Sequence, residues 1–165
     1  MRPKREMWLR APLALALVGV TAAAACVAFA APAPTDATLV DAVRQRDRDA
    51  VRALLKRGVD VNAPQADGAT ALHWAAHLDD LETADLLIRA GANVNTANDF
   101  GATPLWVACV NGSAPMVEKL LGSGADPNAA LPSGETPLMT ASRAGRVEAV
   151  RLLLAPRAAV NASEH

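Results

Sequence analysis

The sequence predicts an all-α solenoid: copies of one helix pair stacked along an axis, each pair joined to the next by a projecting loop. Two observations carry this. Three sets of markers recur every 33 residues in one register: Gly68, Gly101 and Gly134; Gly58, Gly91 and Gly124; and Asn62, Asn95, Asn128 and Asn161. A period of this length marks an architecture in which each copy buries its apolar face only against its neighbours. Within each copy, apolar residues at helical spacing form two short runs separated by a polar turn.

Residues 1–30 differ in kind from the rest. Arg2, Lys4, Arg5 and Arg10 form a basic head, and Leu13 to Ala31 then carries no charge. The run ends in Ala28-Phe29-Ala30, a small-x-small pattern, so the layout is that of a secretory signal cleaved after Ala30. Two alternatives stay open. The run is long enough to be retained as a membrane anchor, and Ala23-Ala24-Ala25-Cys26 resembles a lipoprotein box in which Cys26 would carry lipid. Each of these places the repeats outside the cytoplasm, with membrane association only through this segment. Residues 31–36 are a Pro/Ala linker.

The repeat region is expected over 37–165, in units of about 37–66, 67–99, 100–132 and 133–162. In the first, Leu39, Val40 and Val43 mark one helix face and Val51, Leu54 and Leu55 a second, with R-Q-R-D-R-D between them. Its arginines, and its lack of a G-x-T opening, suit a terminal unit that must show one face to water. The second unit opens at Gly68 and Thr70, with helices over about 71–78 and 81–90. Units three and four open on Thr103-Pro104-Leu105 and Thr136-Pro137-Leu138. Threonine caps the helix N-terminus, and proline takes the first helical position, where its missing N–H costs nothing. The glycines at 58, 91 and 124 end each second helix. Each loop then runs out as a finger.

The strings G-A-T-A-L-H-W-A-A with L-L-I-R-A-G-A-N-V-N, and G-A-T-P-L-W-V-A with L-L-G-S-G-A-D-P-N, resemble ankyrin repeats. The resemblance spans four units, about 36–162. It implies antiparallel helix pairs with fingers nearly perpendicular to them, and protein binding on the concave side made by the fingers and first helices. Three departures stand out. The T-P-L-H histidine appears only as His73, with Trp106 and Met139 in its place further on. Asp79 stands where Gly112 and Gly145 make the inter-helix turn. Arg157 stands where a glycine would end the last unit, and no polar closing helix follows.

Charge and chemistry narrow the function classes. Four of the 16 Lys and Arg residues and one of the 17 acidic ones lie in the first thirty, so the remainder carries 12 against 16, a net charge near −4. Such a balance, with only Trp74, Phe100 and Trp106 as large aromatics, argues against nucleic acid. Beyond Cys26 only Cys109 remains, in the apolar run L-W-V-A-C-V, which reads as a buried thiol. His73 and His77 have an i, i+4 spacing, but without a third ligand they do not make a metal motif. No nucleophile elbow or phosphate loop is present, so no catalytic residue, metal or cofactor is expected.

What remains is a binding surface. The residues flanking the opening glycines (Ala66, Asp67, Ala69; Asp99, Phe100, Ala102; Pro132, Ser133, Glu135) should form the finger tips. The first-helix ends add His77, Val110, Asn111 and Arg143. Phe100 reads as an anchor flanked by acidic tips, suited to an apolar patch with a basic rim. Trp106 is either a second anchor or packing between units. The expected function is that of an exported scaffold, periplasmic in a bacterium, that holds a protein partner. The alternative is a stabilising subunit that stacks through its uncapped C-terminal unit on an enzyme or a copy of itself.

Overall fold

The computed structural model describes residues 38–160, with side chains described as far as Ala155. The expected export segment, Cys26 and the linker lie outside the described residues. Eight helices follow in order: α1 (Leu39–Arg44), α2 (Arg48–Lys56), α3 (Ala71–His77), α4 (Leu81–Arg89), α5 (Pro104–Asn111), α6 (Ala114–Gly122), α7 (Pro137–Arg143) and α8 (Val147–Val160). No strand occurs among the described residues. Helices pair within each unit, and the pairs stack in two rows, α1-α3-α5-α7 and α2-α4-α6-α8. No described helix is long and apolar enough to cross a membrane.

The caps explain why the helices start where they do. Thr38, Thr103 and Thr136 accept, through their side chains, the N–H of the third residue on, which satisfies a donor the helix itself leaves free. Asp47, Asp80 and Ser113 do the same for α2, α4 and α6. The turn between paired helices needs a left-handed residue. Gly112 and Gly145 supply it without strain, whereas Arg46 (φ 55°) and Asp79 (φ 53°) adopt it despite their Cβ atoms. Each of those two costs on the order of 1 kcal/mol.

The core runs between the rows. Leu72, Leu87, Leu105, Met116 and Leu120 are fully buried, each from a helix position that repeats along the array. Burying one such side chain contributes about 1.5–3 kcal/mol. Leu138, the counterpart of Leu72 and Leu105, is only partly buried, with no described unit packed on its outer side. Met139, Val147 and Leu154 are likewise exposed in the last unit. That unit departs from the expected pattern in another way. At Arg157 the chain makes no left-handed turn, and α8 continues as helix to Val160. With arginine in the glycine position, staying helical avoids the Cβ penalty that the turn would impose.

Candidate protein-binding surface

Each finger ends in the same hydrogen-bonded turn. Gln65 N–H donates to the Ala69 carbonyl at 2.8 Å, Asn98 N–H to Ala102 at 3.0 Å, and Leu131 N–H to Glu135 at 2.9 Å. Gly68, Gly101 and Gly134 close these turns with donations to Gln65, Asn98 and Leu131. The fingers sit close: a Cβ on Gly101 would come within 2.4 Å of Pro132 Cδ. Neighbouring fingers are also bonded directly, Asp99 N–H to the Asp67 carbonyl at 3.0 Å.

This geometry fixes the tip of the third unit. The Asn98 carboxamide oxygen accepts from both Phe100 N–H and Ala102 N–H, and the Phe100 side chain is left 70% exposed. A phenyl ring in that setting stays in contact with water with no packing to offset the cost of hydrating it. Asp67 is held similarly, its carboxylate accepting from Ala69 N–H at 3.0 Å. Ala69 and Ala102, expected at the tips with no structural role, are buried instead, because the turn folds them back onto the helices.

The structure separates the expected surface residues into two groups. Asp67 and His77 line one cleft, together with Ala69, His73, Trp74, Asn98 and Val107, in a volume of about 170 Å³. Asp99 and Phe100 adjoin it through the finger-to-finger bond. Glu135 and Arg143 lie apart, in the last unit, with Met139. Their side chains are engaged with each other, and the Glu135 carboxylate also accepts from the Thr140 hydroxyl at 2.6 Å. This exposed pair links its own finger to α7. Asn111 reaches back to the preceding unit. Its side-chain amide donates to the carbonyls of Ala76 and His77 at 3.1 and 2.8 Å, satisfying the end of the preceding first helix. Val110 is exposed at 42%.

Trp106 is only partly exposed. Its indole N–H is buried with no partner among the described residues, so that edge of the ring faces inward. His73 does what Trp106 cannot. Its Nδ1 accepts from Thr70 N–H at 3.0 Å, which leaves Nε2–H to donate to the Ala102 carbonyl of the next unit, also at 3.0 Å. Burial lowers its pKa, the proton being costly in that setting. With both nitrogens committed, His73 is no metal ligand. His77 stands edge-on to Trp74, ring centroids 5.6 Å apart. Cys109 is fully buried, and burial alone pushes its thiol up to about 12, so it is an inert packing group.

Sequence reasoning missed Trp74 and Val107 as cleft walls. Trp74 is fixed by its N–H donation to Gln65 Oε1 at 2.9 Å and by the Arg44 guanidinium, 4.7 Å from the ring centroid. The signal was available in outline, since both sit on first helices beside the residues that face the fingers. A larger groove, about 580 Å³, lies against Thr38 and Leu39 at the start of the described chain.

Comparison with protein families agrees with this architecture. A model described as "Ankyrin repeats (3 copies)" matches residues 39–131, and one described as "Ankyrin repeat" matches residues 133–165. No individual curated protein matches the chain. The matched regions take in most of the sequence and follow the helix pairs and fingers described above, and the chain belongs to the ankyrin-repeat family.

Proposed function

We propose that the chain is an exported, non-enzymatic scaffold that grips a protein partner with the finger row and cleft of its second and third units. Ankyrin repeats in general mediate protein–protein interaction and are typically not enzymes. The observation that carries the reading here is Phe100, 70% exposed on a tip that its own turn holds in place. Asp67, Asp99, His77 and Val110 complete the face. Export is supported by the basic head and uncharged run of residues 1–31. Cleavage after Ala30 leaves a periplasmic protein, and lipidation at Cys26 or a retained anchor leaves the same face at a membrane.

A photo-crosslinking residue at position 100 tests this in cells. One discrete protein adduct is expected there, and none from the same probe at Gly122, at the end of α6 on the other row. No adduct at 100, or equal labelling at both positions, would sink the reading. With the partner in hand, Phe100→Ala should weaken binding by ~1–3 kcal/mol while shifting stability by less than about 0.5 kcal/mol. A second reading, self-stacking through the last unit, is favoured by the exposure of Met139 (59%), Val147 (63%) and Leu154 (49%). Sedimentation as a monomer at every concentration would remove it.

A further inference from the structure

We infer that the cleft between α3 and α5 receives a Lys or Arg side chain from an extended, basic and apolar segment of the partner. The inference rests on the finger row being the docking face. It adds the chemistry of what docks.

Charge is segregated along the chain. Residues 59–70, 92–103 and 125–136, which make the three fingers, contain Asp60, Asp67, Asp99, Asp126 and Glu135 but no Lys or Arg. On the helices several acids are compensated: Asp80 and Glu82 by Arg48, Glu82 also by Arg52, and Asp85 by Lys119 and Arg89. Among the finger acids only Glu135 has an ion pair with a described residue. Asp67 and Asp99, brought side by side by the finger bond, have none. The Asp67 carboxylate, without an ion pair among the described residues, therefore lines a cleft formed with Ala69, His73, Trp74, His77, Asn98 and Val107, and Asp99 follows Asn98 on the bonded neighbouring finger.

Few side chains suit such a site. Lysine and arginine can lay an aliphatic stem along apolar walls while the cation reaches a carboxylate. A neutral apolar side chain would strip water from Asp67 and give nothing back, and an acidic one would be repelled. The indole is already braced by Gln65 and Arg44, so the cleft is preformed and binding need not order it. Phe100, immediately beyond Asp99, then meets the apolar neighbour of that basic residue. The negative row also speeds encounter with a basic segment, in a manner that salt weakens.

The test is a display selection of random short peptides against the full folded chain. Enriched peptides are then titrated against the wild type and against Asp67→Asn and Asp99→Asn. Asparagine keeps the oxygen that accepts from Ala69 N–H and removes only the charge, and thermal melts confirm that both variants fold. The expected consensus is Lys or Arg beside a large apolar residue, with affinity falling about ten-fold in the double variant and at raised salt. A consensus of neutral or acidic peptides that still needs Phe100 would overturn the cation inference and leave the scaffold reading standing. Enrichment of nothing at all would overturn the cleft as a peptide site, while the crosslink at position 100 judges the scaffold separately.

Discussion

Two junctions in this array are built from the same motif and tied very differently. Between the second and third units, Asp99 N–H bonds the Asp67 carbonyl, His73 bonds the Ala102 carbonyl, and Asn111 caps α3. Asn95 also donates to the Gly124 carbonyl at 3.0 Å and accepts from Asp126 N–H, and Lys119 pairs with Asp85 at 2.6 Å. One period later the counterparts of Asp99, His73, Asn111 and Lys119 are Pro132, Trp106, Ala144 and Leu152, while Asn95 is matched by Asn128. Pro132 has no N–H to give, the Trp106 N–H finds no partner, and Ala144 and Leu152 have no polar group. Among the residues whose side chains are described, no hydrogen bond or ion pair joins α7 or α8 to the third unit, and apolar packing is what holds them there. The lesson is that a repeat's fold survives the loss of its polar ties, while the coupling between its units does not. In a linear array each interface contributes separately, so the weaker junction should open by itself.

The largest effect that can break this comparison is in the core. Leu105→Ala should cost about 3–5 kcal/mol and Leu138→Ala only about 1–2, since one is fully enclosed and the other is not. Equal losses in denaturant unfolding would mean that the last unit is as well covered as the third. Next comes the histidine tie. His73→Leu should cost about 2–3 kcal/mol and also flatten the acid limb of the stability curve. The native pKa of His73 lies below its unfolded value, so its contribution is complete above about pH 6.5. It is lost as pH falls from there towards the depressed native value, because only the unfolded chain takes up the proton. A variant whose melting temperature follows pH as the wild type does would refute that assignment.

Asp80 adds a second limb at lower pH. Burial pushes its carboxyl up, but the Thr83 hydroxyl and N–H and the Arg48 guanidinium together hold it below the usual range. Its stability is therefore present above about pH 4 and lost below. Smaller still is the difference in local opening. Amides of α7 and α8 should exchange about ten-fold faster than those of α3 and α5, about 1.4 kcal/mol, and uniform protection would count against a separable last unit. The smallest effect restores a tie. Ala144→Asn puts a carboxamide where Asn111 stands one unit earlier and should raise protection in α7 by about 0.5–1 kcal/mol. No gain there would mean that the Asn111 bonds do little at their own junction.

Much of the fold was legible because the repeat writes it several times over. The helix limits at Ala71 and Leu81, the threonine caps and the buried leucines follow from local chemistry, and α3 and α4 end within a residue of expectation. The candidate site was legible only in part. Phe100 could be placed on a tip because it directly precedes Gly101, the glycine that opens its unit. Asn111, Glu135 and Arg143 could not be sorted from the free residues, because their partners lie on other turns of the array or on the far side of a finger.

The sequence by itself determined the repeat, its register, the capping chemistry and the segregation of charge between fingers and helices, since all of these depend on residues near one another or on a spacing that can be counted. Only the tertiary structure decided which polar groups are already engaged, that the finger of Asp99 is bonded to that of Asp67 beside a cleft, and that no bond among the described side chains ties α7 or α8 to the third unit. Those facts depend on pairs of atoms about one period apart in the chain, and a hydrogen bond forms or fails on fractions of an ångström that no spacing in the sequence encodes.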